Sequence, residues 1–144
     1  MGWKAFNLFA SIPGGSALTT FPPHHADKAL AFLKLLGGTY ENHGDRTFED
    51  GIYPSSDDEL YIGAYGHAFV LGSIPLAASA FRGDVPPIVR HLHVTIPGCR
   101  VLAVLLHSAV DLYGYSWFEN GRLLSTTAPL LLQLTASQSG EVDA

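Results

Sequence analysis

The chain has 144 residues, of which 47% are apolar and 15% charged, and a net charge of −5. That length suits one domain with one core, the apolar content excludes a wholly disordered chain, and eight scattered Lys and Arg with no basic run argue against a nucleic-acid partner. Soluble domains usually carry about 25% charged residues, so this surface is easier to bury against a partner, and a homodimer is expected.

The opening "MGWKAFNLFASIPGG" lacks the basic head and small-residue cleavage site of a secretory signal. It also lacks the Ser or Thr that a myristoylation signal places after Met-Gly. Trp3 to Ser11 is dominated by large apolar groups and is predicted to be the first strand. Pro13, Gly14, Gly15, Pro22 and Pro23 mark a loop after it. The "PGGS" in this loop has no phosphate-loop lysine and stands about ten residues before the next helix, so no cofactor is expected. From Ala26 to Leu36 the period changes. Ala26, Ala29, Leu30, Leu33 and Leu36 fall on one helical face, and Gly37-Gly38 stops the helix. His24-His25 stands just before it, in cap or solvent positions. Thr39 to Asn42 is predicted as a short strand.

Seven of the thirteen acids lie between Glu41 and Glu59, with Arg46 the only base among them. This stretch is predicted as a solvated loop holding a brief extended piece at "TFEDGIYP"; it lacks the ligand spacing of a calcium loop. Leu60 to Leu71 is predicted as one strand. The uncharged run from Leu60 to Phe81 is long enough to span a bilayer, but Gly63, Gly66, His67, Gly72 and Pro75 interrupt it. A cytoplasmic protein with no membrane partner is expected. Ala77 to Phe81 is predicted as a helical turn, and Pro87 to His93 as a short helix begun by Pro86-Pro87. In a helix the two imidazoles of His91 and His93 would not face each other, so they make no metal pair. Cys99, the lone cysteine, excludes an intrachain disulfide and sits beside a Pro97-Gly98 turn without sign of activation.

Arg100 to Glu119 is predicted as the longest strand. Asn120-Gly121 then closes a two-residue hairpin, since both residues tolerate the positive φ of a type I′ turn, and Arg122 to Thr127 returns. Leu130 to Leu134 is a further strand or a packed tail, and residues 137–144 are expected to be a disordered tail beyond a single domain of residues 1–136. The expected fold is α+β: a mainly antiparallel sheet with helices on one face, ferredoxin-like or a variant.

The long strand holds the candidate chemistry. Alternation puts Leu102, Val104, Leu106 and Ser108 on a core face, and His107, Asp111, Tyr113, Tyr115 and Trp117 on the other. His107 and Asp111 would then lie about 13 Å apart, with Ser108 facing away, which excludes a Ser-His-Asp triad within the strand. His67 could join His107 only if its strand paired with this one, and the spacing of such a His-His-Asp group matches no metal signature, so no metal is expected. Three large rings on one face suit an interface, a pocket wall or a helix-covered core.

The blocks "TFEDGIYP", "ELYIGAY" and "LHSAVDLYGYSWFENGRLL", in that order, resemble an uncharacterised, mainly actinobacterial family, domain of unknown function 6928. His107, Ser108, Val110, Asp111, Trp117, Glu119 and Gly121 carry the hairpin block. The resemblance covers about Thr39 to Ser125 and implies no activity; it implies a longer C-terminal part than this chain has. The expected function is a non-catalytic domain that binds a small molecule or protein through an aromatic-lined sheet face, using Tyr65, His67, Tyr113, Tyr115 and Trp117. The alternative is a hydrolase-like or metal-dependent enzyme using His107, Asp111 and His67.

Overall fold

The computed structural model describes residues 4–13, 22–110 and 112–127. Asp111, the Leu130–Leu134 segment and the tail at 137–144 lie outside the described residues. Among the described residues six strands form one antiparallel sheet. They are β1 (Lys4–Ser11), β2 (Tyr61–Tyr65), β3 (Ala68–Gly72), β4 (Arg100–His107), β5 (Leu112–Glu119) and β6 (Arg122–Thr127), in the order β2-β3-β1-β4-β5-β6. The helices are α1 (Ala26–Leu36), α2 (Phe48–Ile52), α3 (Ile74–Ser79) and α4 (Pro87–Thr95). The fold is thus α+β as expected. The order of the first four strands is compatible with a ferredoxin-like arrangement, with β5 and β6 added beyond β4.

Two predicted strands prove to be hairpins. The Leu60–Leu71 run turns at Gly66-His67, where Gly66 has φ 62, and becomes β2 and β3. The Arg100–Glu119 run breaks at a 3₁₀ turn, Ser108–Val110, and becomes β4 and β5, with His107 opposite Leu112. Gly66 followed by a polar residue was a legible turn signal in the first case. In the second the turn contains no Gly, Pro or Asn, so local chemistry gave no warning. Thr39–Asn42 is not a strand, and "TFEDGIYP" is helical where an extended piece was expected: Thr47 accepts a hydrogen bond from the Asp50 N–H and caps α2. The Asn120-Gly121 hairpin stands as predicted, with φ 50 and 74 and Glu119 opposite Arg122.

One sheet face carries the core. Phe6, Leu8 and Ala10 of β1, Phe69 and Leu71 of β3, Val101, Ala103 and Leu105 of β4, and Phe118 of β5 are buried there with Ala29 and Phe32 of α1, Ala77 of α3, and Val89 and Leu92 of α4. The buried face of α1 is rotated from the predicted one. Phe32 enters the core, its ring stacked 4.1 Å from that of Phe69, while Leu30 is exposed. His25 caps α1 by accepting from the Lys28 N–H, and Gly37, at φ 74, ends it. The core face of β4 is likewise the opposite of that predicted: Val101, Ala103 and Leu105 point inward, and Leu102, Val104 and Leu106 are only half-buried on the second face. Both faces of β4 are apolar, so alternation could not choose between them.

Candidate aromatic groove on the second sheet face

The second face is built in rows by the strand registers. One row runs Gly72, Asn7, Val104, Tyr115, Thr127, from β3 to β6. Beside it lie Val70, Phe9, Leu102, Trp117 and Ser125 on one side, and Ala5, Leu106 and Tyr113 on the other. α2 packs over the β3–β1 part of this face, where the Asn7 Nδ2 donates to the Gly51 carbonyl at 3.2 Å. Above β4, β5 and β6 the face is open. A shallow groove of about 300 Å³ lies there, lined by Val104, Leu106, Tyr113, Tyr115 and Thr127 among others. Tyr113 is 51% and Tyr115 44% exposed, and Trp117 is half-buried.

Among the described residues no charged side chain lines this groove. Its polar groups are hydroxyls. The Tyr115 hydroxyl lies 3.2 Å from the Ser125 hydroxyl, and bonds from Ser125 and Thr127 pull the phenol below its usual pKa. Past the Trp117 row, the Arg100–Glu119 ion pair at 3.0 Å closes one end of the β4–β5 ribbon. The surface can therefore stack against an apolar or aromatic body and offer it neutral hydrogen-bonding partners.

The other expected site residues lie elsewhere. Tyr65 shares the second face but sits on β2, four strand positions from β5, or about 19 Å. Its ring meets Phe48 edge-on at 5.7 Å and His24 at 5.4 Å, and burial pushes its phenol pKa up. His67 is exposed in the β2–β3 turn, where its carbonyl accepts from the Ile12 N–H. His107 pairs with Lys4 at one end of β1, whereas Ala68, next to His67, pairs with Ser11 at the other. Seven residues of strand, about 23 Å, thus separate the two histidines, and β3 and β4 do not pair. His107 also faces away from Tyr113 and Tyr115, because its register row is that of Leu105's face. Among the described residues its buried Nδ1 has no hydrogen-bond partner. Ser108 opens the turn and does not continue the alternation.

Among the described residues, no group of three or more His, Cys, Asp or Glu side chains could hold a metal ion. His91 and His93 diverge on α4: His91 reaches the Leu35 carbonyl, and His93 Nδ1 accepts from the Gly121 N–H at 2.7 Å. Cys99 is fully buried, and burial raises its thiol pKa. Sequence reasoning missed Asn7, Val104, Leu106 and Thr127. Asn7 had a signal, as the one amide inside "FNLF"; Val104 and Leu106 had none, being apolar in an apolar strand.

An open antiparallel sheet with three helices on one face and a bare aromatic half-face on the other defines the class: an α+β domain. Residues 12–128 match a family model, and the chain belongs to that family, DUF6928, a family of unknown function. Searches of curated proteins and of solved structures find no significant match. Among the described residues no helix is long and apolar enough to cross a membrane.

Proposed function

We propose that this domain binds a small, uncharged, partly aromatic ligand in the groove over β4, β5 and β6, without catalysis. The observation that carries the proposal is the exposure of Tyr113 and Tyr115 above an apolar floor of Val104 and Leu106. Rings left wet there give up roughly 25 cal/mol for each Å² of apolar surface that an occupant would cover. Size favours a small molecule over a protein. Three strands at about 4.8 Å spacing and five residues of length give roughly 250 Å², well short of the ~800 Å² per partner in a stable protein interface. A volume near 300 Å³ sits at the lower end for small-molecule sites.

The low charged fraction supports a homodimer formed through another surface. The test is titration with N-phenyl-1-naphthylamine, a neutral aromatic amine that fluoresces in apolar surroundings. Saturable binding to the parent, weakened about tenfold or more in Tyr113→Ala/Tyr115→Ala, is expected, since each ring contributes on the order of 1 kcal/mol. Equal binding by parent and variant would refute the groove.

A further inference from the structure

Among the described residues three polar side chains are buried: Asn7, Ser73 and Ser116. Two have clear structural partners. Ser73 caps α3 by accepting from the Leu76 N–H, and the Ser116 hydroxyl lies 2.8 Å from that of Thr126. Asn7 is different. Its Nδ2 holds Gly51, but its Oδ1 is buried with no hydrogen-bond partner among the described residues. Buried acceptors left without a donor are rare and costly. Asn7 stands in the same register row as Val104, Tyr115 and Thr127, one strand inward from the groove.

What covers Asn7 is α2, held there by the Asn7 Nδ2 bond to the Gly51 carbonyl and the edge-on contact of Phe48 with Tyr65, yet short and largely exposed. It is five residues long and none of them is buried; Phe48 is 46% exposed and Tyr53, just after it, 40%. Its backbone comes so close to the sheet that a Cβ on Gly72 would lie 1.8 Å from the Gly51 oxygen. Below it lie Asn7, Val70 and Gly72 on the same face as the open groove.

We propose that α2 is a lid whose displacement joins the open groove to the sheet floor beneath it and uncovers Asn7 as the polar anchor of the site. The site then takes a neutral aromatic ligand carrying one N–H or O–H donor, which bonds Asn7 Oδ1 while its apolar body lies over Val104 and Tyr115. The proposal rests on the groove being the binding surface. It explains why the centre of an apolar strand holds an amide with an unused acceptor.

Native-state hydrogen exchange on the parent tests the lid. The Gly51 amide, which bonds the Thr47 carbonyl, is expected to exchange about tenfold or more faster than the amides of β1 and β3. Exchange of Gly51 only together with β1 would overturn the lid. Gly72→Ala supplies the second arm, since its methyl must push Gly51 away. Trypsin cleavage after Arg46 should accelerate, and N-phenyl-1-naphthylamine should bind several-fold more tightly because the lid no longer competes. Freed α2 amides with unchanged probe affinity would overturn the anchor role of Asn7. If Gly51 opens locally but the probe binds neither protein, the groove is refuted and the lid motion stands. Should Gly72→Ala not fold, exchange in the parent still decides the lid.

Discussion

The Asn120-Gly121 turn offers the sharpest stability test. Gly121 has φ 74, a region in which a side chain costs about 1–2 kcal/mol. A Cβ there would lie no closer than 4.0 Å to any neighbour outside the turn, the nearest being His93 Nδ1, so the cost is conformational and not a clash. Gly121→Ala should therefore cost about 1 kcal/mol. Gly121→Val adds a β-branched side chain that resists positive φ, and a shifted turn weakens the Gly121 N–H bond to His93, worth about 1 kcal/mol. The sum is about 2–3 kcal/mol, or roughly 8 °C in Tm for a chain of this size. Thermal melts followed by circular dichroism read it directly. A Gly121→Val protein melting within about 1 °C of the parent would refute the turn geometry.

His93 gives a pH dependence. Burial pulls its pKa below the ordinary 6.5, with the Cys99 backbone opposing, so the folded state binds fewer protons than the unfolded chain below that pH. This contribution to stability is complete above pH 6.5 and is lost as pH falls through it. A His93→Asn variant should show a flatter fall in Tm between pH 7 and 5.5; an unchanged slope would contradict it. Cys99 should react with a thiol reagent at pH 8 slowly in the native protein and fast in denaturant, because it is buried and its pKa raised. Rapid native reaction would contradict that burial. Sedimentation at micromolar concentration should give twice the 15.4 kDa chain mass; a clean monomer would end the case for self-association from low charge.

Much of the fold was legible because its signals were local. The α1 stop at Gly37, the α4 start at Pro87 and the turn at Asn120-Gly121 each depend on one residue's backbone preferences. β1 and β6 were legible from residue type. The two missed hairpins fail for different reasons. Gly66 marks the first, though the apolar run on either side of it also fits one strand, and the Ser108–Val110 turn has no Gly, Pro or Asn to mark it. That second turn shifts the alternation, so that His107 and Tyr113, on one side of a continuous strand, are set on opposite sides by the register. The Tyr113, Tyr115, Trp117 row survived, because alternation within β5 does not depend on what precedes it. Asn7 and α2 were out of reach, since their relation joins residues 44 apart in sequence.

On the reading proposed above, the half-face over β4, β5 and β6 binds a small neutral ligand. Two-dimensional ¹H–¹⁵N spectra of the protein, recorded as N-phenyl-1-naphthylamine is added, test it most directly. Saturable shifts should cluster at the amides of Val104, Leu106, Tyr113, Tyr115 and Thr127, with α1 and α4 unmoved. Shifts concentrated on the helical side, around His107 or His93, with the Tyr113–Trp117 amides unmoved, would contradict it.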